Sequence, residues 1–227
     1  MIARLVSATD LAPEIRHFVF EVPEVQSLHF LPGQFASLVA TINGKEITRA
    51  YSLAAAPQGD NRFEICLNRV PDGLFSPHLF ALQPGDPVHL KGILGTFQWR
   101  EPAMDSILVA TGTGVVPFRA MLQAAPAGHK STLIYGTRFP QSLLYLDEFR
   151  QRAAADPGFH FIPTVTRPDA SWSGTTGRVQ PLLQAALGDR RDVRIYVCGL
   201  KEMVDSVRAL AKEHGLDRRQ IVYEKYD

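Results

Sequence analysis

Near residue 102 the pattern of the chain changes, and that change restricts the fold more than any other feature. Before it, short apolar and β-branched segments at 15–20, 34–39, 62–67 and 87–90 are divided by turn signals such as Leu31-Pro32-Gly33, Asn43-Gly44 and Pro71-Asp72-Gly73. Strands of that length and spacing suit a closed antiparallel barrel. After it, strand-like and helix-like segments alternate: 107–110 then 117–124, 132–135 then 144–154, 159–165 then 179–187, 194–197 then 201–214, and last 221–224. Alternation of this kind implies a parallel sheet with helices on both faces. The sequence therefore predicts two domains, an antiparallel β-barrel over residues 1–101 followed by an α/β parallel-sheet domain over 102–227.

Composition excludes several classes of function. Hydrophobic residues make up 45% of the 227, enough for real cores, and the net charge of +1 gives no electrostatic case for nucleic acid or an anionic membrane. No apolar run reaches the roughly 18 residues of a membrane span, and no basic-then-apolar leader opens the chain, so neither a span nor a signal peptide is expected. Two cysteines, Cys66 and Cys198, are too few for a disulfide framework or a four-thiolate cluster, and fit a reduced, cytoplasmic setting. The seven histidines show no metal-ligand spacing, so no metal site is expected.

The chemistry-bearing stretch is Ile107 to Met121, ILVATGTGVVPFRAM. An apolar strand runs into Thr111-Gly112-Thr113-Gly114, and Pro117 stands where a helix begins. Glycines admit a phosphate to the backbone, and the helix N-terminus favours its charge. The same residues also suit an ordinary tight turn. In the barrel half, Arg49-Ala50-Tyr51-Ser52 ends a strand. Arg49 offers a guanidinium for a pyrophosphate, Tyr51 on the same strand face a flat ring for stacking, and Ser52 a donor to a ring nitrogen. Gly73-Leu74-Phe75-Ser76 opens a short helix expected over 76–82, with Ser76 as N-cap and Pro77 at the first helical position. Its N–H groups suit a second phosphate contact or simply a capped helix start.

Taken in order, Arg49-Ala50-Tyr51-Ser52, Gly73-xx-Ser76, Gly112-Thr113-Gly114-xx-Pro117, Val197-Cys198-Gly199 and the near-terminal Glu224-Lys225-Tyr226 resemble the ferredoxin–NADP(+) reductase family over nearly the whole chain. The resemblance implies an FAD-binding barrel followed by an NADP-binding α/β domain. It implies that Arg49 binds the FAD pyrophosphate, Tyr51 stacks on the isoalloxazine and Ser52 lies by flavin N5. Gly73, Leu74, Phe75 and Ser76 form the second pyrophosphate contact. Thr111, Gly112, Thr113, Gly114 and Pro117 line the path of the nicotinamide nucleotide, and Cys198 and Gly199 lie near its ring. Glu224 matches the family's carboxylate beside the reaction centre, and Tyr226 the aromatic that covers the flavin. Ser52, Glu224, Cys198 and Tyr226 are thus the implied catalytic group. The chain departs from the family at Leu53, where many relatives carry a small polar residue, and at Asp227, which follows the aromatic.

For the coenzyme, Thr166-Arg167 resembles the family's pair that grips a 2′-phosphate, and Arg138 and Arg178 belong to neighbouring segments. That favours NADPH over NADH, although Asp169 is close by. The implied activity is hydride transfer between NADPH and FAD, with single electrons passing to or from ferredoxin or flavodoxin. Two alternatives share these motifs: an NADH-dependent reductase of free flavin or of an oxygenase component, and a flavin-binding regulatory subunit without turnover.

Overall fold

The computed structural model describes residues 1–226; Asp227, the departure noted after Tyr226, lies outside the described residues. Contacts divide the chain into two compact units, Met1–Gln98 with Val116–Ala124, and Trp99–Val115 with the residues from 125 onward.

The first unit is an antiparallel sheet of six strands, β1 (Ile2–Ala12), β2 (Ile15–Glu21), β3 (Phe35–Ile42), β4 (Lys45–Ser52), β5 (Arg62–Asn68) and β6 (Pro87–Leu94), in the order β4-β3-β6-β1-β2-β5. The two edge strands meet: Leu53 bridges Ile65, and the Ala54 N–H donates to the Glu64 carbonyl at 2.8 Å. Closure removes the exposed edges an open sheet would leave. Alternate residues point inward, so Phe18 and Phe20 of β2 join Leu38, Phe63 and Leu90 in one core. Leu53 is fully buried there, so the position that departs from the family's small polar residue closes the barrel.

One strand is added to the sequence reading of this unit and one helix start is corrected. The added strand is β1, the longest: only Ala3 and Leu5 are buried, and register shifts at Leu5/Ser7 and Asp10/Ala12 break its alternation. The short helix α1 spans Phe75–Ala81, so Ser76 is inside it and no side chain caps it. The Ser76 hydroxyl instead accepts the Val70 N–H at 2.9 Å. A hydroxyl that pins the preceding loop cannot also serve as N-cap for a helix that has already started.

The second unit is a parallel sheet of β7 (Ser106–Thr111), β8 (Ser131–Thr137), β9 (Phe159–Val165), β10 (Thr175–Thr176), β11 (Arg194–Leu200) and β12 (Ile221–Tyr226), ordered β10-β9-β8-β7-β11-β12. Helices α4 (Val179–Leu187) and α5 (Lys201–Glu213) contribute Leu183, Leu187, Val204 and Val207 to a core with Ile107, Val109, Ile195 and Val197. Ile162 of β9 packs on that core, whereas its neighbour Phe161 meets Phe149 of α3 (Leu146–Ala155), with ring centroids 5.4 Å apart. Successive strand residues point to opposite faces, so helices cover both. The segment leading into β7 is held by β11: Tyr196 Oη accepts the Arg100 N–H at 2.8 Å, and the buried Arg194 donates to the carbonyls of Arg100 and Pro102. No helix among the described residues is long and apolar enough to cross a membrane.

Helix α2 (Val116–Gln123) follows the turn Gly112–Val115 and has Pro117 as its second residue rather than its first. It groups with the first unit although its strand belongs to the second. The rings of Phe118 and Phe97 lie 5.6 Å apart, and polar bonds from Arg119 and Gln123 reach the barrel segment 54–56.

Candidate active site

In the second unit the chain leaves β7 first for β8 and β9 on one side and later for β11 and β12 on the other. The strand order therefore reverses between β7 and β11, where ligands bind in open sheets of this kind, outside the carboxyl ends of the strands. The turn Gly112–Val115 and the pair Cys198-Gly199 both occupy that point. They approach so closely that a Cβ on Gly114 would lie 2.2 Å from the Cys198 carbonyl oxygen, and one on Gly199 2.6 Å from Thr111 Oγ1. At Gly114 the neighbour is backbone, so only glycine permits the contact. Thr111 Oγ1 is buried and has no hydrogen-bond partner. A buried hydroxyl without a partner is costly, and a nucleotide amide or phosphate is a fitting partner for it.

Glu224 of β12 lies directly opposite Cys198 in the parallel register, and Tyr226 opposite Leu200. Burial pushes the Cys198 thiol well above its ordinary value, the Glu224 carboxylate pushes it further, and a hydrogen bond with Tyr226 pulls the other way. The sulfur is therefore a neutral thiol at physiological pH and a poor nucleophile. This places Cys198, Gly199, Glu224 and Tyr226 in one cluster with the glycine turn.

Along the same edge, β8 and β9 stay paired beyond their ends. Thr166 donates its N–H to the Thr137 carbonyl at 3.1 Å and Arg167 its N–H to that of Arg138 at 2.8 Å. Gly177 donates to the Val165 carbonyl, and Arg178 next to it precedes the first turn of α4. Arg138, Arg167 and Arg178 are all exposed, and no carboxylate among the described residues is paired with any of them. Asp169, the acidic residue closest to them in sequence, is engaged by Ser171 through both its N–H at 2.9 Å and its hydroxyl at 2.5 Å. Those bonds hold its carboxyl below its ordinary value. Sequence reasoning had no means of finding that engagement, which depends on the local turn.

In the first unit the polar face of β4 is mostly exposed, although the strand belongs to a closed barrel. Arg49 is exposed and donates from Nη1 to the Thr48 carbonyl at 2.8 Å. Two residues on, the half-buried Tyr51 ring lies 6.0 Å from that of Phe75, the first residue of α1. Burial raises the Tyr51 phenol far above its ordinary value, against the opposing pull of Arg49. It stays neutral and presents a flat surface. Ser52 and Ser76 are both buried. A guanidinium, a neutral aromatic face and two hydroxyls on adjoining elements form a donor set that fits a flavin nucleotide.

Comparison with known proteins decides the family. The description "Oxidoreductase FAD-binding domain" matches residues 2–99, and "Oxidoreductase NAD-binding domain" matches residues 108–209. A ferredoxin–NADP reductase B of Sorangium cellulosum is 37% identical across 99% of this chain and 97% of its own length. The chain belongs to the ferredoxin–NADP(+) reductase family. The toluate 1,2-dioxygenase electron transfer component of Pseudomonas putida is 34% identical over 89% of this chain, which spans 60% of that longer protein. The crystal structure of a Neisseria gonorrhoeae ferredoxin NADP+ reductase with bound FAD and NADP aligns with a TM-score of 0.84 at 26% identity, covering 99% of this chain and 98% of that one.

As a ferredoxin–NADP(+) reductase family member, the chain is a flavin-dependent oxidoreductase that binds FAD and a pyridine nucleotide and takes electrons from the nucleotide. Bound FAD supplies the redox chemistry, and the protein's task is binding, orientation and electrostatics. Among the described residues no three His, Cys, Asp or Glu side chains cluster as metal ligands.

Proposed function

We propose that the chain is an NADPH-dependent ferredoxin or flavodoxin reductase of the cytoplasm, with residues 1–101 holding FAD and 102–227 the coenzyme. Arg49 and the Gly73–Ser76 segment hold the FAD pyrophosphate, Tyr51 backs the isoalloxazine and Ser52 orients its N5 edge. Thr111, Gly112, Thr113, Gly114 and Pro117 line the nucleotide path, and Cys198 packs against the nicotinamide as a neutral thiol. Glu224 orients the carboxamide or relays a proton. Tyr226 shields the flavin until the coenzyme arrives. Hydride transfer needs the two rings in close register, and the role of these residues is to bind and orient them.

The preference for NADPH rests on one observation: three exposed arginines, Arg138, Arg167 and Arg178, at one strand edge without carboxylate partners among the described residues, beside an Asp169 already engaged by Ser171. A 2′-phosphate takes cations, whereas a free ribose diol takes a carboxylate. Arg167→Ala is expected to raise the Michaelis constant for NADPH by about tenfold or more, in line with loss of a charge-assisted hydrogen bond. The constant for NADH should barely move. Equal effects on both coenzymes would contradict the assignment.

The carrier is supported by the name of the Sorangium relative, which matches over nearly the full length of both chains. A second reading, reductase of an oxygenase component, is favoured by the similarity to the toluate dioxygenase component. Turnover with purified ferredoxin, flavodoxin and an oxygenase component separates the two.

A further inference from the structure

Helix α2 turns one polar face to the barrel. Arg119 and Gln123 are four residues apart and so share that face. Arg119 Nη1 donates to the Ala54 carbonyl at 2.7 Å and to Glu64 Oε2 at 3.0 Å. Gln123 Oε1 accepts the Ala56 N–H at 2.9 Å. The same Glu64 oxygen lies 3.2 Å from His17 Nε2, and the Glu64 carbonyl accepts the Ala54 N–H. Both backbone polar groups of Ala54 are thus tied, its carbonyl to Arg119 and its N–H to Glu64. Segment 54–56 is the direct continuation of Tyr51-Ser52-Leu53, and α2 is the direct continuation of the turn Gly112–Val115.

We propose that Arg119 and Glu64 are positioning residues for the transfer of electrons from nucleotide to flavin. They hold α2 on the flavin-strand continuation, and α2 is the element into which the nucleotide turn runs. Both bonds leave one guanidinium nitrogen, Nη1, whose two N–H groups bring its charge to a backbone carbonyl and a carboxylate at once. Neither residue touches substrate; each acts through the backbone it holds. Displacement of a reacting group by about 1 Å costs roughly a hundredfold in rate, so a loosened helix start should act on rate before it acts on affinity.

The inference rests on the nucleotide-to-flavin reading of the previous section, and its test separates the two. Arg119→Met would be prepared with FAD bound and compared with the parent protein in three measurements. These are flavin reduction by NADPH in an anaerobic stopped-flow instrument, NADP+ binding by calorimetry without turnover, and amide hydrogen exchange. The rate should fall about tenfold to a hundredfold while the NADP+ dissociation constant changes far less. Exchange should quicken at residues 54–56 and 116–124 and stay the same in the rest of the barrel. Arg119→Lys should recover part of the rate, and Glu64→Gln should shift rate and exchange in the same direction by less. A parent rate and parent exchange in Arg119→Met, with only the melting temperature lowered, would overturn the proposal. So would equal loss of rate and affinity. If Arg119→Met does not fold, Glu64→Gln decides alone, and parent values for both rate and exchange overturn it. Parent protein whose flavin no coenzyme reduces would remove the functional reading instead, whereas the exchange result stands without turnover.

Discussion

Glu64 is the residue whose chemistry reaches furthest beyond its own strand. Its hydrogen bond from His17 holds its carboxyl below the ordinary value; burial opposes this, and Arg119 adds to it. A carboxylate with a lowered folded-state pKa contributes stability that is complete above the unfolded value and is lost as pH falls through the folded one. Glu64→Gln should therefore cost roughly 1 kcal/mol near neutrality, the difference between a charge-assisted and a neutral hydrogen bond. The gap between variant and parent should close as the pH drops below 4.5, the ordinary glutamate value. Denaturant unfolding at several pH values checks this, and a gap that is constant with pH would contradict it. None of this was legible in the sequence, since His17, Glu64 and Arg119 belong to three elements and nothing in their spacing links them. Leu53 was visible as an oddity, but its reason, the closing of the barrel, required the bridge to Ile65. Arg49, Tyr51 and Cys198 could be singled out as candidates because their chemistry stands in short motifs whose order is itself informative.

Among elements, the junction of β7, the glycine turn and α2 carries the most consequence. The apolar run, the two glycines and Pro117 announced a strand, a turn and a helix, and these are present. What the local pattern did not contain is the contact of that turn with Cys198 and Gly199, more than eighty residues away along the chain. Gly114→Ala tests it. The added methyl would sit 2.2 Å from the Cys198 carbonyl oxygen, and backbone cannot give way as a side-chain tip does. Overpacking of this kind costs about 1–3 kcal/mol. The variant should bind FAD normally yet lose most of its affinity for NADP+ by calorimetry; unchanged affinity would contradict the placement of the nucleotide at this turn. Elsewhere local signals failed for identifiable reasons. Register shifts within β1 broke its period, and Ser76 looked like a cap because Ser-Pro is a common helix start, while the Val70 N–H competed for the hydroxyl.

At the scale of the molecule, the change of pattern near residue 102 was enough to identify an antiparallel barrel and a parallel α/β sheet. Turn residues in one half and alternating periods in the other are set by local backbone preference, which sequence carries directly. The grouping of α2 with the barrel unit is set by long-range contacts, which it does not. Family membership brings the flavin and the pyridine nucleotide; it does not fix the electron carrier, since the relatives include both a ferredoxin–NADP reductase and a dioxygenase electron transfer component. The central claim, that this chain moves reducing equivalents from NADPH to its own flavin, is tested most directly by an anaerobic absorbance titration of the FAD-loaded protein with NADPH. Stoichiometric bleaching of the flavin bands is predicted, with NADH far less effective at equal concentration. A flavin spectrum that neither coenzyme changes would contradict the claim and leave a flavin-binding protein without turnover.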